Sequence, residues 1–464
     1  MSEGLPLPRR YYAILAISFG TALVVIDGAI PTVALPTIAR DLGVDNSAAV
    51  LVVTVYQLVL VMTLLPFSAL GDRLGHRRLY QLGQIVFTIA TILCFFARSL
   101  PFLLVVRAAQ SLGAAAALSV SSAILRAIYP ARQLGRGLGI NSVVVSSSAA
   151  LAPTLGGLVL AFGPWPWVFA AAVPFALLSL LLGRHLPEPV QHSEDFDLLG
   201  AALCAGTFGL IIAGLESAVH GDSPVVSAAI VALGILVAFV FVRRELGEAR
   251  PIMPVDLLGK PVFALSTIGA LTAFIASMAV ILSMPFRLEH GFGFAPSEVG
   301  AMIAPWPLTT MVVAPTAGAL SDRVPAGLLG GIGMGIATFA LGALAWLPTH
   351  PHYLDIAWRM GLCGAGFGLF LSPNARLIIA SAPRERAASA GGLISTTRMT
   401  GQTLGATLVA ALLALGLGGG PTPALAAAAL AVVAGLCSVA RLNPALRSTE
   451  VGEVRGNQPA AHVR

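Results

Sequence analysis

Long apolar runs separated by short polar stretches dominate this chain. About twenty mostly apolar residues suffice to cross a bilayer as a helix. Such runs recur fourteen times, at about 11–36, 48–70, 79–97, 101–125, 138–162, 165–183, 198–218, 224–242, 262–286, 296–319, 326–347, 354–375, 388–416 and 423–440. The short alternating segments of a membrane β-barrel are missing. The pattern therefore predicts an all-α integral membrane protein with 14 transmembrane helices. Composition agrees, at 57% hydrophobic and 10% charged residues with a mean hydropathy of +0.88, where soluble domains carry roughly 25% charged residues.

The polar breaks between runs repeat. SALGDRLGHRR at Ser68–Arg78 has a weaker copy, GALSDRVPAGL, beginning at Gly318. Arg107 opens RAAQSLGAAAAL, and at nearly the same offset Arg359 opens RMGLCGAGFGLF. Two independent echoes predict a duplicated chain. Its six-helix halves fall at 11–185 and 262–441. Residues 186–261 then hold two polar, Pro-containing linkers and two accessory spans with no counterpart in the repeat. Residues 442–464 lack periodicity and are expected to be a disordered tail.

The net charge of +6 raises the question of a nucleic-acid partner, and its distribution answers it. With the N-terminus placed in the cytoplasm, Arg40, Arg98 and Arg287 are the Lys/Arg residues of the outer loops. Arg107, Arg359 and Arg398 fall inside spans, and the rest of the 27 basic residues face the cytoplasm. That asymmetry is the positive-inside pattern. It places both termini inside, with a bacterial inner membrane as the expected location. Cys94, Cys204, Cys363 and Cys437 lie within apolar spans without metal-ligand spacing, and His350 and His352 have no acid or Cys cluster beside them. No metal site is expected. An intramembrane enzyme would need a nucleophile–base pair or a metal at depth, and all eight His lie in loops, linkers or the tail.

Chemistry at membrane depth concentrates in a few residues. Asp27 sits midway along the first span, before Gly28, Pro31 and Pro36; an intramembrane carboxylate is expensive and usually marks an ion or substrate path. Arg107 lies about two turns into the fourth span with Gln110 on the same face at i+3. It needs a partner, for which Asp27 is the comparably deep acid of the first half, or it snorkels to the surface. Tyr56, Gln57, Asn141 and Trp306 are candidates for lining a cavity. In the organising loop Gly75 permits a tight turn, and Asp72 is expected to cap the following helix. Pro153 with Gly156 and Gly157 predicts a bendable, closely packed fifth span.

These residues resemble the major facilitator superfamily, and within it the fourteen-helix drug:proton antiporters. The family's signature between helices 2 and 3, Gly-x-Leu-x-Asp-Arg-x-Gly-Arg-Arg, is matched at Leu70, Asp72, Arg73, Gly75 and Arg77, with Ser68 and His76 departing. Arg-x-x-Gln-Gly-x-Gly in helix 4 is matched at Arg107, Gln110 and Gly113, with Ser111 departing. The helix 5 antiporter pattern is matched at Pro153, Gly156 and Gly157, with Ser148 and Ala152 in place of glycines. Ile26-Asp27 and the closing Val33-Ala34-Leu35-Pro36 echo the helix 1 pattern.

The resemblance implies two six-helix bundles plus two inserted helices, rocking to expose a midplane cavity alternately to either side. It implies a proton-coupling role for Arg107. It implies gating roles for the loop residues Asp72, Arg73, Gly75 and Arg77, for their echoes Asp322 and Arg323, and for Pro153, Gly156 and Gly157. Joined to the residue-level reading of Asp27 as proton carrier and of Gln110 as a further cavity residue, it gives an expected function. That function is drug:H+ antiport exporting lipophilic, mainly cationic compounds as a monomer, with no cofactor beyond the proton gradient. Export or symport of a neutral or anionic metabolite is the alternative, since the interior offers one clear acid and three arginines.

Overall fold

The computed structural model describes residues 5–130, 134–187, 197–219, 223–248, 252–382 and 387–443. Side chains of several residues in 134–150 and of 387–389 also lie outside the description. So do most of the first linker, the loop bearing His220 and Asp222, and the tail from 444.

The chain is a sequence of helices: α1 (Arg9–Ala29), α2 (Pro31–Leu42), α3 (Asn46–Leu74), α4 (His76–Phe95), α5 (Leu100–Ile128), α6 (Leu134–Phe162), α7 (Trp167–Ala170), α8 (Val173–Leu182), α9 (Leu198–Val219), α10 (Pro224–Glu245), α11 (Pro261–Phe286), α12 (Pro296–Ile303), α13 (Pro305–Leu320), α14 (Ala326–Ala345), α15 (Tyr353–Ser381), α16 (Ala387–Ala414) and α17 (Thr422–Ala440). Among the described residues, twelve helices are long and apolar enough to cross a membrane. The protein is a multi-pass membrane protein. Several helices exceed the need: α3, α5 and α15 each have 29 residues, about 44 Å at 1.5 Å per residue against a hydrocarbon core of about 30 Å.

Proline sets the bends. Pro31 has no N–H to give, so the first span breaks between α1 and α2, and Pro305 likewise divides α12 from α13. Thr32 closes the first break by donating to the Ala29 carbonyl at 2.6 Å. α2 stops at Gly43, whose left-handed φ of 63° forms the C-terminal cap that favours glycine.

α1–α8 pack largely among themselves, and so do α11–α17. One close approach occurs in both sets. In the first bundle Gly83 of α4 and Gly113 of α5 abut, so that a Cβ on Gly83 would stand 2.7 Å from the Gly113 carbonyl oxygen. In the second, a Cβ on Gly333 of α14 would stand 2.6 Å from the carbonyl oxygen of Gly366 on α15. The accessory helices α9 and α10 cross closely at Gly214 and Gly234, and α9 rests on α3 and α16. α9 thus covers the seam where α3 meets α16.

A second seam joins the bundles at the end remote from Arg9. There α6 lies on α12 with backbone against backbone: a Cβ on Gly300 would be 2.5 Å from the Pro153 carbonyl oxygen, and one on Gly157 would be 3.0 Å from that of Pro296. Arg287, expected in a loop, is instead buried in a π-turn after α11. It donates to the Leu344 and Ala345 carbonyls at 2.8 and 3.0 Å, satisfying the open C-terminus of α14. At the opposite end Arg441 is buried and donates to Ser266, Asn374 and Ser438 at 2.7, 2.5 and 2.8 Å. It ties α17 to α11 and α15.

Candidate functional site

Asp27 and Arg107 meet in the interior of the first bundle. Asp27 lies near the end of α1, beside the Pro31 break; Arg107 is two turns into α5. Both side chains are fully buried. Nη1 of Arg107 donates to Asp27 Oδ2 at 2.7 Å and to Gln110 Oε1 at 2.6 Å. The Gln110 amide then donates to Asp27 Oδ1 at 2.9 Å and to Thr91 at 2.8 Å, and Thr91 donates to the Phe87 carbonyl. The i, i+3 spacing of Arg107 and Gln110 brings both to the same carboxylate.

Aromatic faces complete the enclosure. The guanidinium carbon of Arg107 stands 4.2 Å over the Tyr56 ring and 5.4 Å from that of Phe169, a cation–π arrangement. Arg107 Nε donates to the Val52 carbonyl at 3.3 Å, and Ser111 fixes α3 on α5 by donating to the Tyr56 carbonyl at 2.6 Å. Among the described residues, Nη2 of Arg107 and the Tyr56 hydroxyl have no hydrogen-bond partner.

A buried charge is tolerated only when paired and hydrogen-bonded, so the pair is neutral as a unit. Its chemical capacity follows from that. A proton delivered to the carboxylate would cancel the charge that holds Arg107, and the guanidinium would then need another partner.

Other candidates are distributed around this centre. Gln57 is buried on α3, with its Oε1 unpartnered. Trp306 is buried between α13 and α15, its ring tilted against Phe367 with centroids 4.9 Å apart. The backbone of Asn141 lies in α6, and its side chain is outside the described residues.

The organising loop departs from expectation in one respect. The cap position of α4 is Gly75, at φ 94°, without a side-chain cap. Asp72 belongs to the last turn of α3 and meets His76 Nε2 at 3.0 Å. A carboxylate inside a helix cannot turn to cap the next one, so it takes the ring at i+4 instead. Arg73 is exposed and Arg77 half-buried. In the second half Asp322 pairs with Arg376 of α15, a partner that its neighbour Arg323, which is exposed, did not announce.

Pro153, Gly156 and Gly157 all lie in contacts between elements. Gly156 faces the Ile30 carbonyl at the α1–α2 break, and Gly157 faces α12. Arg359 is held within its own bundle by Asp355 at 3.5 Å and by the Ala343 carbonyl at 3.1 Å, beside the Trp358 ring.

Three polar groups went unread in the sequence. One is the Arg441 cluster. Another is buried Glu216 of α9, which accepts from Thr407 of α16 at 2.6 Å. The third is Gln402 on α16. A polar residue inside an apolar run was the available signal for the last two. Among the described residues no group of His, Cys, Asp and Glu is arranged to hold a metal ion.

Membrane-spanning helices packed around a buried ion pair are the architecture of a membrane transporter. The chain matches the Major Facilitator Superfamily over residues 17–406 and again over 267–462, and it belongs to that family. It is 45% identical over 445 residues to the uncharacterized transporter YebQ of Escherichia coli, covering 95% of this chain and 97% of that one. It is 30% identical to the riboflavin transporter RibZ of Clostridioides difficile over 86% of this chain and 87% of that one. It is also 30% identical to the multidrug resistance protein Stp of Mycobacterium tuberculosis, over 86% and 75%. The fold is shared with a bacterial homolog of the human lysosomal transporter Spinster, at a TM-score of 0.65 and 19% identity over 98% of this chain and 100% of that one.

Proposed function

We propose that this transporter exports lipophilic small molecules by alternating access in exchange for protons, as a drug:H+ antiporter whose action would confer resistance. The observation that carries the reading is the Asp27–Arg107–Gln110 unit, fully buried and hinged on the proline break of the first span. Protonation of Asp27 from one side would free Arg107 and loosen α1 from α5. Release of the proton on the other side would restore the pair, so the occupancy of one carboxylate sets which arrangement is stable. The multidrug resistance protein Stp at 30% identity supports a drug as cargo, and RibZ at the same identity supports a metabolite.

We assign fourteen spans. The fourteenfold count of apolar runs is reached when α6, with 29 residues, and α16, with 28, join the twelve. Each proline-broken pair, such as α1–α2, makes one span. The excess of arginine at the Arg9 end supports a cytoplasmic position for that end, with both termini on the inner side of a bacterial inner membrane. The working unit would be the monomer, with the gradient as sole energy source and no cofactor.

The test uses purified protein in liposomes under an imposed pH gradient, loaded in parallel preparations with a fluorescent lipophilic cation and with a fluorescent lipophilic carboxylate. Gradient-driven movement should be lost in Asp27→Asn. Equal movement in both proteins would remove Asp27 from the mechanism. Accumulation with, rather than against, the proton gradient would replace antiport by symport.

A further inference from the structure

Resting on the transport reading above, we propose that Arg398 and Gln402 of α16 form the substrate's anion-recognition site, so that the cargo is an amphiphile bearing an anionic group such as a carboxylate. Arg398 stands eleven residues into α16, about 17 Å from one end of the helix and about 24 Å from the other. A charge at that depth is expensive unless something receives it. Yet among the described residues neither Arg398 nor Gln402 makes a side-chain hydrogen bond, ion pair or ring contact. Both are only half-buried. Every other deep charge has a partner: Arg107 has Asp27, Arg359 has Asp355, and Glu216 has Thr407.

The packing of α16 tells where the guanidinium faces. Gly401 and Gly405 abut α11 at Phe274, Leu271 and Ile275. A quarter to a third of a turn from Arg398 on the other side, Gly392 faces Leu65 of α3, and Met399 packs with Leu60 and Val61 of α3. Thr407, nine residues on and therefore opposite at about 100° per residue, faces the accessory helix α9. Arg398 lies between the α11 and α3 faces and away from α9, so it projects into the space between the two bundles.

Gln402 is one turn further along that face. Gly391, about two turns the other way, is a position where a Cβ would meet nothing within 4 Å. The antiparallel register that sets Leu65 against Gly392 brings Gln57 of α3 level with Thr400. A fork of guanidinium donors beside an amide, in a space walled by apolar residues, fits an anionic group on an apolar body. With Asp27 occupied by Arg107, Arg398 is the deep charge left without a partner among the described residues, and it is positive.

The test is carried out on the full-length protein in lipid nanodiscs, with phenylglyoxal as an arginine reagent and modification read residue by residue by mass spectrometry. Enclosed Arg107 serves as the internal standard and should stay unmodified, while Arg398 reacts. The anion 1-naphthoate should slow the reaction at Arg398, and the neutral isostere 1-naphthamide should not. Arg398→Gln should weaken naphthoate binding about 10- to 100-fold, the scale of a charge-assisted hydrogen bond, with Arg398→Lys in between; size-exclusion profiles establish that both variants are folded. An unreactive Arg398, no protection by naphthoate, or equal protection by the amide would overturn the proposal. Because labelling needs no gradient, protection that persists in Asp27→Asn separates this site from the coupling reading, which the transport assay tests.

Discussion

The buried pair sets a sharp energetic expectation. Taking the charges about 4 Å apart at an effective dielectric of roughly 20 gives about 4 kcal/mol of attraction. Breaking such a pair strands the remaining charge and destabilises by about 3–5 kcal/mol. Arg107→Gln and Asp27→Asn should therefore each destabilise by about that much. Asp27→Asn should be the worse of the two, because Arg107 Nη2 already lacks a partner. The double variant removes both charges and their desolvation together, and should return to within about 2 kcal/mol of wild type, since neutral replacements of buried pairs are often tolerated. Reversible unfolding in mixed detergent micelles, followed by tryptophan fluorescence, would measure the cycle. A double variant whose loss equals the sum of the singles within about 0.5 kcal/mol would show that the two groups do not depend on each other, and the coupling argument would fail with it.

Two further outcomes follow. Gly300→Val forces side-chain atoms against the Pro153 carbonyl, and overpacking of about 1–3 kcal/mol should raise the population with the α6–α12 seam open roughly 5- to 150-fold; unchanged hydrogen exchange in α12 would contradict this. Asp197 lies outside the membrane, its carboxyl held below the usual range by the two hydrogen bonds from Arg244 and a backbone bond from Gly200. A carboxyl whose folded pKa is depressed stabilises above its unfolded value, about 3.9, and loses that contribution as the pH falls through the folded one. The melting difference between wild type and Asp197→Asn should thus be present at neutral pH and close below about pH 4; a difference that widens with acid would refute it.

The periodicity of apolar runs and the two echoes at Asp72 and Arg107 made the architecture legible, because a bilayer leaves the backbone few choices. Depth made the Asp27–Arg107 pair legible: one acid and one arginine, each too costly alone, had to meet. Local pattern was a poorer guide at helix ends. Asp72 looked like a cap and proved to be the last turn of α3, since nothing in DRLGHR says where one helix yields to the next. Trp306, expected to line a cavity, is buried with its ring tilted against Phe367, and side-chain direction there depends on where Pro305 breaks the span. Arg398 was visible as a deep charge, but its want of a partner is a three-dimensional fact.

The two ends of the molecule differ in what they are made of. The seam far from Arg9 is carbonyl against glycine, from Pro153 to Gly300 and from Gly157 to Pro296, with neutral atoms at these contacts. The Arg9 end carries Asp72 with His76, and Asp322 with Arg376, all at least partly exposed. Mobile ions screen exposed charges over a Debye length of about 10 Å at 0.1 M salt and leave close van der Waals contact untouched. In the proposed rocking cycle, added salt should therefore act more on the Arg9 end than on the carbonyl–glycine seam, making ionic strength a lever weighted to one side.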